Sequence, residues 1–133
     1  MTNPAALRFL SDRVLTASPA QRVVMLYDRA LLDLDRARAA NEVGGTHDAS
    51  TAVMHALAVV TELQTSLDPA GFEGGPRLLD LYTWVIGELL ACRSGDDLTR
   101  LSTVRIVLRD LRDAWMVVAS SNDRPVLLGD LAG

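Results

Sequence analysis

The chain has 133 residues, enough for one domain with a real core and little room for a second. A net charge of −4 argues against a nucleic-acid binder with a basic face, and a single cysteine, Cys92, rules out an internal disulfide framework or a thiolate metal cluster. Hydrophobic residues make up 49% of the chain but aromatics only 5%, with Leu, Val and Ala dominant, which favours helices over a sandwich or barrel.

Residues 1–17 read as a leader. Leu7, Phe9, Leu10, Val14 and Leu15 are apolar, with Arg8, Ser11, Asp12 and Arg13 among them. Two readings stay open here: a frayed terminus, or a segment that folds back over a groove. The chain opens without a charged and then apolar signal pattern, and no apolar run approaches the ~20 residues of a membrane span, so a cytoplasmic protein without membrane contact is expected.

A complete helix start follows. Ser18 serves as N-cap, Pro19 suits the first helical position, and Gln21 closes a capping box. The first helix is expected from Pro19 to about Glu42, stopped by Gly44-Gly45, with Val23, Val24, Tyr27, Ala30, Leu31, Leu34 and Ala37 on its core face. The second should start after Asp48 or Ser50 and bury Val53, Ala56, Leu57, Val60, Leu63 and Leu67. A Gly/Pro-rich connection, Asp68 to Gly75, precedes a third helix opened by Pro76, with Leu78, Tyr82, Val85, Ile86, Leu89 and Cys92 inward. Ser94-Gly95 ends it, and Asp96 or Asp97 caps a fourth, whose core stripe is Leu101, Val104, Leu108, Leu111, Trp115 and Val118. From Ser120 onward Asn122, Pro125 and Gly129 break the pattern. The expected fold is all-α: an antiparallel up-down-up-down four-helix bundle over 18–120, with 1–17 as a short N-terminal capping segment and 121–133 as a flexible C-terminal tail.

No catalytic constellation emerges. His47 and His55 are eight positions apart and do not stack as i, i+4 ligands, so both are expected to be solvated. No Glu-x-x-His pair supports a di-iron site, and Gly71, Gly74 and Gly75 lack the Lys-Ser/Thr of a phosphate loop. Neither a cofactor nor a metal is expected, nor an enzyme. What remains is apolar surface outside the core faces. Met25 and Leu32 lie opposite the core beside Arg29 and Arg36, Trp84 sits by the small Gly87 and Ala91, and Ile106 and Val117 share a stripe with Asp110 and Asp113. Exposed apolar stripes on three of four helices mark a partner surface, either a groove for amphipathic helices or a homodimer interface in the client-free state.

Thr16-Ala17-Ser18-Pro19, followed by Met25-Leu26-Tyr27-Asp28, closely resembles the opening of the flagellar export chaperone family known as FliS. Ser66-Leu67-Asp68, Leu81-Tyr82 and Leu111-Arg112-Asp113-Ala114-Trp115 extend the likeness, in order, from Phe9 to Trp115. The sequence departs at Phe9, where the family usually has Tyr, at Arg22 (apolar), Arg29 (Gly) and Thr83-Trp84 (Asp-aromatic), and at Gly87-Glu88, where basic residues are common. The resemblance implies a four-helix bundle that binds the C-terminal amphipathic segment of flagellin, prevents premature polymerisation and aids flagellar type III export. Export-apparatus components or regulators are the further partners it suggests. Combined with the faces above, Phe9, Val14, Met25, Leu32, Trp84, Ile106 and Val117 are the expected partner-binding residues. Thr16, Ser18, Pro19, Leu26, Tyr27, Asp28, Tyr82, Asp113 and Trp115 are the expected motif and core residues. The competing reading is a homo-oligomeric structural bundle without a flagellin client; a metal- or small-molecule-binding bundle enzyme is a third.

Overall fold

The computed structural model describes residues 4–5 and 17–122. The expected leader, apart from those residues, and the tail beyond Asn122 lie outside this set, as do Phe9, Val14 and Thr16. Among the described residues the architecture is all-α: α1 (Pro19–Glu42), α2 (Thr46–Ser66), a single 3-10 turn (Pro69–Gly71), α3 (Gly75–Ala91) and α4 (Leu98–Asn122).

The capping chemistry explains where the helices begin. Ser18 Oγ accepts from the Gln21 amide at 3.1 Å and Gln21 Oε1 accepts from the Ser18 amide at 2.8 Å, the reciprocal box expected from the sequence. At α4, Asp97 Oδ1 accepts from the Arg100 amide at 3.1 Å, so Asp97 and not Asp96 is the cap. At α2 the expectation fails: the helix starts at Thr46 behind Gly45, with no side-chain cap, and Asp48 lies in the first turn. There its carboxylate still favours the positive end of the helix dipole. At the far end of the chain α4 runs on to Asn122, a little past the expected limit at Ser120.

Inter-helix pairs set an antiparallel register. Asp28 meets Arg112 at 2.8 Å and, seven residues on, Asp35 meets Arg105 at 2.7 Å, so α4 descends as α1 climbs. Gln64–Thr83 ties α2 to α3, and Glu88–Arg100 ties α3 to α4. α1 packs broadly on α2 and α4, whereas α3 leans mainly on α2 and only lightly on α4. The surface pairs hold register more than they add stability, since exposed ion pairs contribute about 0–1 kcal/mol each.

The main core runs through the bundle, with Tyr27, Leu34, Val53, Val60, Leu63, Tyr82, Val85, Leu89, Val104 and Leu108 buried, and a smaller cluster holds Ala20, Val24 and Ala119. Each of the larger side chains contributes roughly 1.5–3 kcal/mol through removal from water. Leu111 and Trp115 are half-buried and Val118 is exposed, a correction to the expected α4 stripe; Ala119 takes the inward position, against Ala20 and Val24. A small residue suits this place because the end of α4 lies close on the start of α1. Val59 and Ala49 are also buried, Ala49 beneath Gly95 of the loop between α3 and α4.

At the centre, Tyr27 and Tyr82 are both fully enclosed and their hydroxyls share a hydrogen bond of 2.5 Å. Burial pushes both phenols up, and for Tyr27 the neighbouring Tyr82 adds to the rise. The folded chain therefore keeps protons that unfolded tyrosines release above pH ~10. Stability is expected to be whole below that pH and to fall above it, by about 1.4 kcal/mol per pH unit for Tyr27 alone. Urea melts between about pH 8 and 11.5 read the slope; Tyr27→Phe should flatten it.

The end of the bundle that holds both short loops is closed by side chains. Asn41 Nδ2 donates to the carbonyls of Ala37 and Gly95, and Ser50 Oγ donates to the Arg93 carbonyl at 2.8 Å. Gly95 has φ +83°, and a Cβ there would lie 2.6 Å from the Ala49 carbonyl carbon. Gly44 has φ +72° but open space around it. Gly44→Ala is thus expected to cost about 1 kcal/mol of conformational strain. Gly95→Ala adds about 1–3 kcal/mol of overpacking. Thermal melts of the two variants check the difference.

Candidate functional site

Those residues expected to bind a partner that the structure describes fall on two separate faces. On α1, Met25 and Leu32 are each 42% exposed and point away from the core, which lies on the side of Tyr27 and Leu34. On the other side of the ridge formed by α4, Trp84 (39% exposed), Ile106 (50%) and Val117 (68%) flank the seam between α3 and α4. Glu88 and Arg100, 3.1 Å apart, mark that seam. One helical turn before Glu88 comes Trp84, and Leu81 continues the same stripe. Val107, Asp110, Ala114 and Val117 extend the stripe of Arg100 along α4, with Ile106 one step outward.

This seam is open because α3 touches α4 so lightly. Gly87 and Ala91 are exposed beside Trp84, and a side chain at Gly87 would meet nothing within 4 Å. The ring of Trp84 therefore stands next to a low floor. From the level of Ile106 to Val117 the α4 face spans 12 residues, roughly 16 Å, or about three turns of a docked helix. Asp80, Asp110 and Asp113 are exposed along this side.

The sequence motif residues are structural in the main. Tyr27 and Tyr82 are core, Leu26 is half-buried against it, and Ser18 and Pro19 start α1. Asp28 reaches across to Arg112, which also meets Asp113 at 3.4 Å. Trp115, expected in the core, is only partly so. It packs against the core, against Ala20, Val24 and Ala119, and edge-on to Phe72 with ring centroids 6.2 Å apart. With Pro19, Val23, Leu67 and Tyr82 these two rings line a cleft of about 240 Å³ at the end of the bundle. Phe72 escaped the sequence reading because it sits in a Gly/Pro connection, where no helical period marks a face.

Asp33 and His55 form a further site that the sequence did not announce. Asp33 is the buried charged residue of α1, 2% exposed, and its carboxylate is bonded to His55 Nδ1. Arg29 and Arg36 approach the same carboxylate at 3.6 and 3.9 Å. His55 is thus engaged in an inter-helix pair and not merely solvated. The available signal was the position of Asp33 on the flank of α1 that also carries Leu26, Ala30 and Ala37. Cys92 is buried, donates from Sγ to the Glu88 carbonyl at 3.1 Å, and has its thiol pushed up by burial, as suits a small core side chain rather than a nucleophile. No helix among the described residues is long and apolar enough to cross a membrane.

Among the described residues the chain is a four-helix bundle with large apolar side chains left exposed on α1, α3 and α4. The sequence model of the family described as Flagellar protein FliS matches residues 1–122, and the chain belongs to that family. It is similar to the flagellar secretion chaperone FliS of Salmonella typhimurium strain LT2, with 31% identity over 112 residues that cover 83% of each chain. It is also similar to the flagellar secretion chaperone FliS of Escherichia coli strain K12, with 28% identity over 108 residues, 80% of this chain and 79% of the relative.

Proposed function

We propose that this chain is a cytoplasmic, non-enzymatic flagellar secretion chaperone that binds the C-terminal amphipathic segment of flagellin, keeps it from polymerising early and hands it to the export machinery. Family membership and the similarity to secretion chaperones support the class. The observation that carries the site is the α3–α4 seam, where Trp84, Ile106 and Val117 remain exposed beside the light packing of α3 on α4. A disordered client segment folds there as a helix, its apolar side chains against Trp84 and the stripe of α4. Basic client residues then meet Asp110 and Asp113. No nucleotide is needed, because burial of the client's apolar face supplies the binding free energy.

Two forms of flagellin test the reading. The tagged chain is expected to co-purify about 1:1 with full-length cognate flagellin and to lose it when the C-terminal segment is deleted. Equal capture of both forms, or of neither, contradicts it. The homo-oligomeric alternative predicts a stable client-free dimer in light scattering, broken by Trp84→Ala.

A further inference from the structure

We propose that the solvent face of α1 is a second docking seam, separate from the α3–α4 groove, and that it seats an acidic amphipathic helix of another protein. Six positions of α1, Arg22, Met25, Arg29, Leu32, Arg36 and Ala39, are all exposed and follow alternating steps of three and four residues. That is the spacing of a coiled-coil seam, on which one helix meets another along its whole length. The order is regular in chemistry as well. Arginine occupies every position of one kind, 22, 29 and 36, and an apolar residue every position of the other, 25, 32 and 39. The core of the bundle makes no use of this stripe, for it lies opposite Tyr27, Ala30 and Leu34.

Charge fixes the partner. The acids that α1 carries toward α4 are already engaged, Asp28 by Arg112 and Asp35 by Arg105. Toward α2, Arg29 and Arg36 share the single carboxylate of Asp33, which His55 also holds. Among the described residues Arg22 makes no ion pair. The stripe is therefore locally positive on a chain whose net charge is −4. A second copy of the chain would bring the same arginines against themselves. A helix with leucines on its own seam and glutamates at the flanks fits: its apolar side chains reach Met25, Leu32 and the arginine stems, and its carboxylates meet the guanidinium heads. The proposal differs from the client site in place, since Glu88 and Arg100 put the α3–α4 seam on another side of the bundle.

The test uses the full chain and a fluorescent synthetic helix of about four heptads, leucine at a and d and glutamate at e and g, beside a twin with lysine at e and g. Anisotropy is expected to show saturable binding of the acidic helix alone, weakened as NaCl rises from about 50 to about 300 mM. Arg22→Glu and Leu32→Glu should each weaken it about tenfold. Neither side chain touches Asp33, and both variants should keep the wild-type melting temperature. Arg22→Glu should also keep its affinity for the flagellin C-terminal segment within about twofold, which separates this seam from the client groove. The proposal is overturned if the acidic helix does not bind, if the two helices bind alike, or if Leu32→Glu leaves binding unchanged. A concentration-dependent dimer abolished by Leu32→Glu also overturns it, in favour of a second copy on the seam. Loss of flagellin binding by the wild-type chain bears on the client reading and leaves the peptide result standing.

Discussion

Tyr27→Ala is expected to lower stability by about 3–5 kcal/mol, the range for deleting a buried aromatic side chain. The ring is fully enclosed between α1 and α3, and its truncation also strips Tyr82 of its hydroxyl partner. A buried hydroxyl left without a partner costs about 1–3 kcal/mol, so the loss belongs at the upper end of that range. Much of the margin of a domain with 5–15 kcal/mol of stability is then gone. Tyr27→Phe keeps the ring and removes only the hydroxyl, so it should cost about 1–2 kcal/mol. Chemical denaturation of the two variants separates packing from hydrogen bonding. Equal losses would mean that the hydroxyl pair, and not the rings, holds the centre of the bundle.

Trp84→Ala is expected to do the reverse, leaving the fold nearly intact while weakening flagellin binding by about 2 kcal/mol or more, about thirtyfold. The side chain is 39% exposed and belongs to no core cluster, so truncation opens no internal cavity. As a large ring beside the open floor at Gly87, it has the character of an interface anchor. Calorimetric titration with the flagellin C-terminal segment reads the affinity, and a thermal melt reads the fold. Trp115→Ala makes a useful contrast. It removes the ring that joins Phe72 to the start of α1 and so should act mainly on stability.

Local signals were legible in the chain wherever a side chain itself made the structure. The Ser18 box, Pro19 and Gly44 delimit α1 as expected, because each acts on backbone within a turn of its own position. The start of α2 was not legible, since Gly45 opens it with no side-chain cap. Tyr27, Tyr82 and Leu89 follow from helical period alone. Val118 and Ala119 do not, for the crossing of α4 over the start of α1 decides which of two adjacent apolar residues turns inward. Asp33 illustrates a different limit: one carboxylate on an apolar flank becomes explicable only when α2 brings His55 to it.

The exposed apolar residues were legible as a set but not as a surface. Period placed Met25, Leu32, Trp84, Ile106 and Val117 off the core faces, and all are exposed. Their division into an α1 face and an α3–α4 seam depends on which helices are neighbours, and in particular on the light contact between α3 and α4. Short loops fix antiparallel neighbours but do not set how closely each pair packs.

The central claim is that the client lies along the α3–α4 seam. Photo-crosslinking reads this directly, with benzoylphenylalanine placed at Val117 on the seam or at the exposed Glu62 on the outer face of α2. In a mixture with full-length flagellin, the Val117 variant is predicted to form a crosslink that maps to the flagellin C-terminal segment, and the Glu62 variant none. A crosslink from Glu62 with none from Val117 would contradict the account.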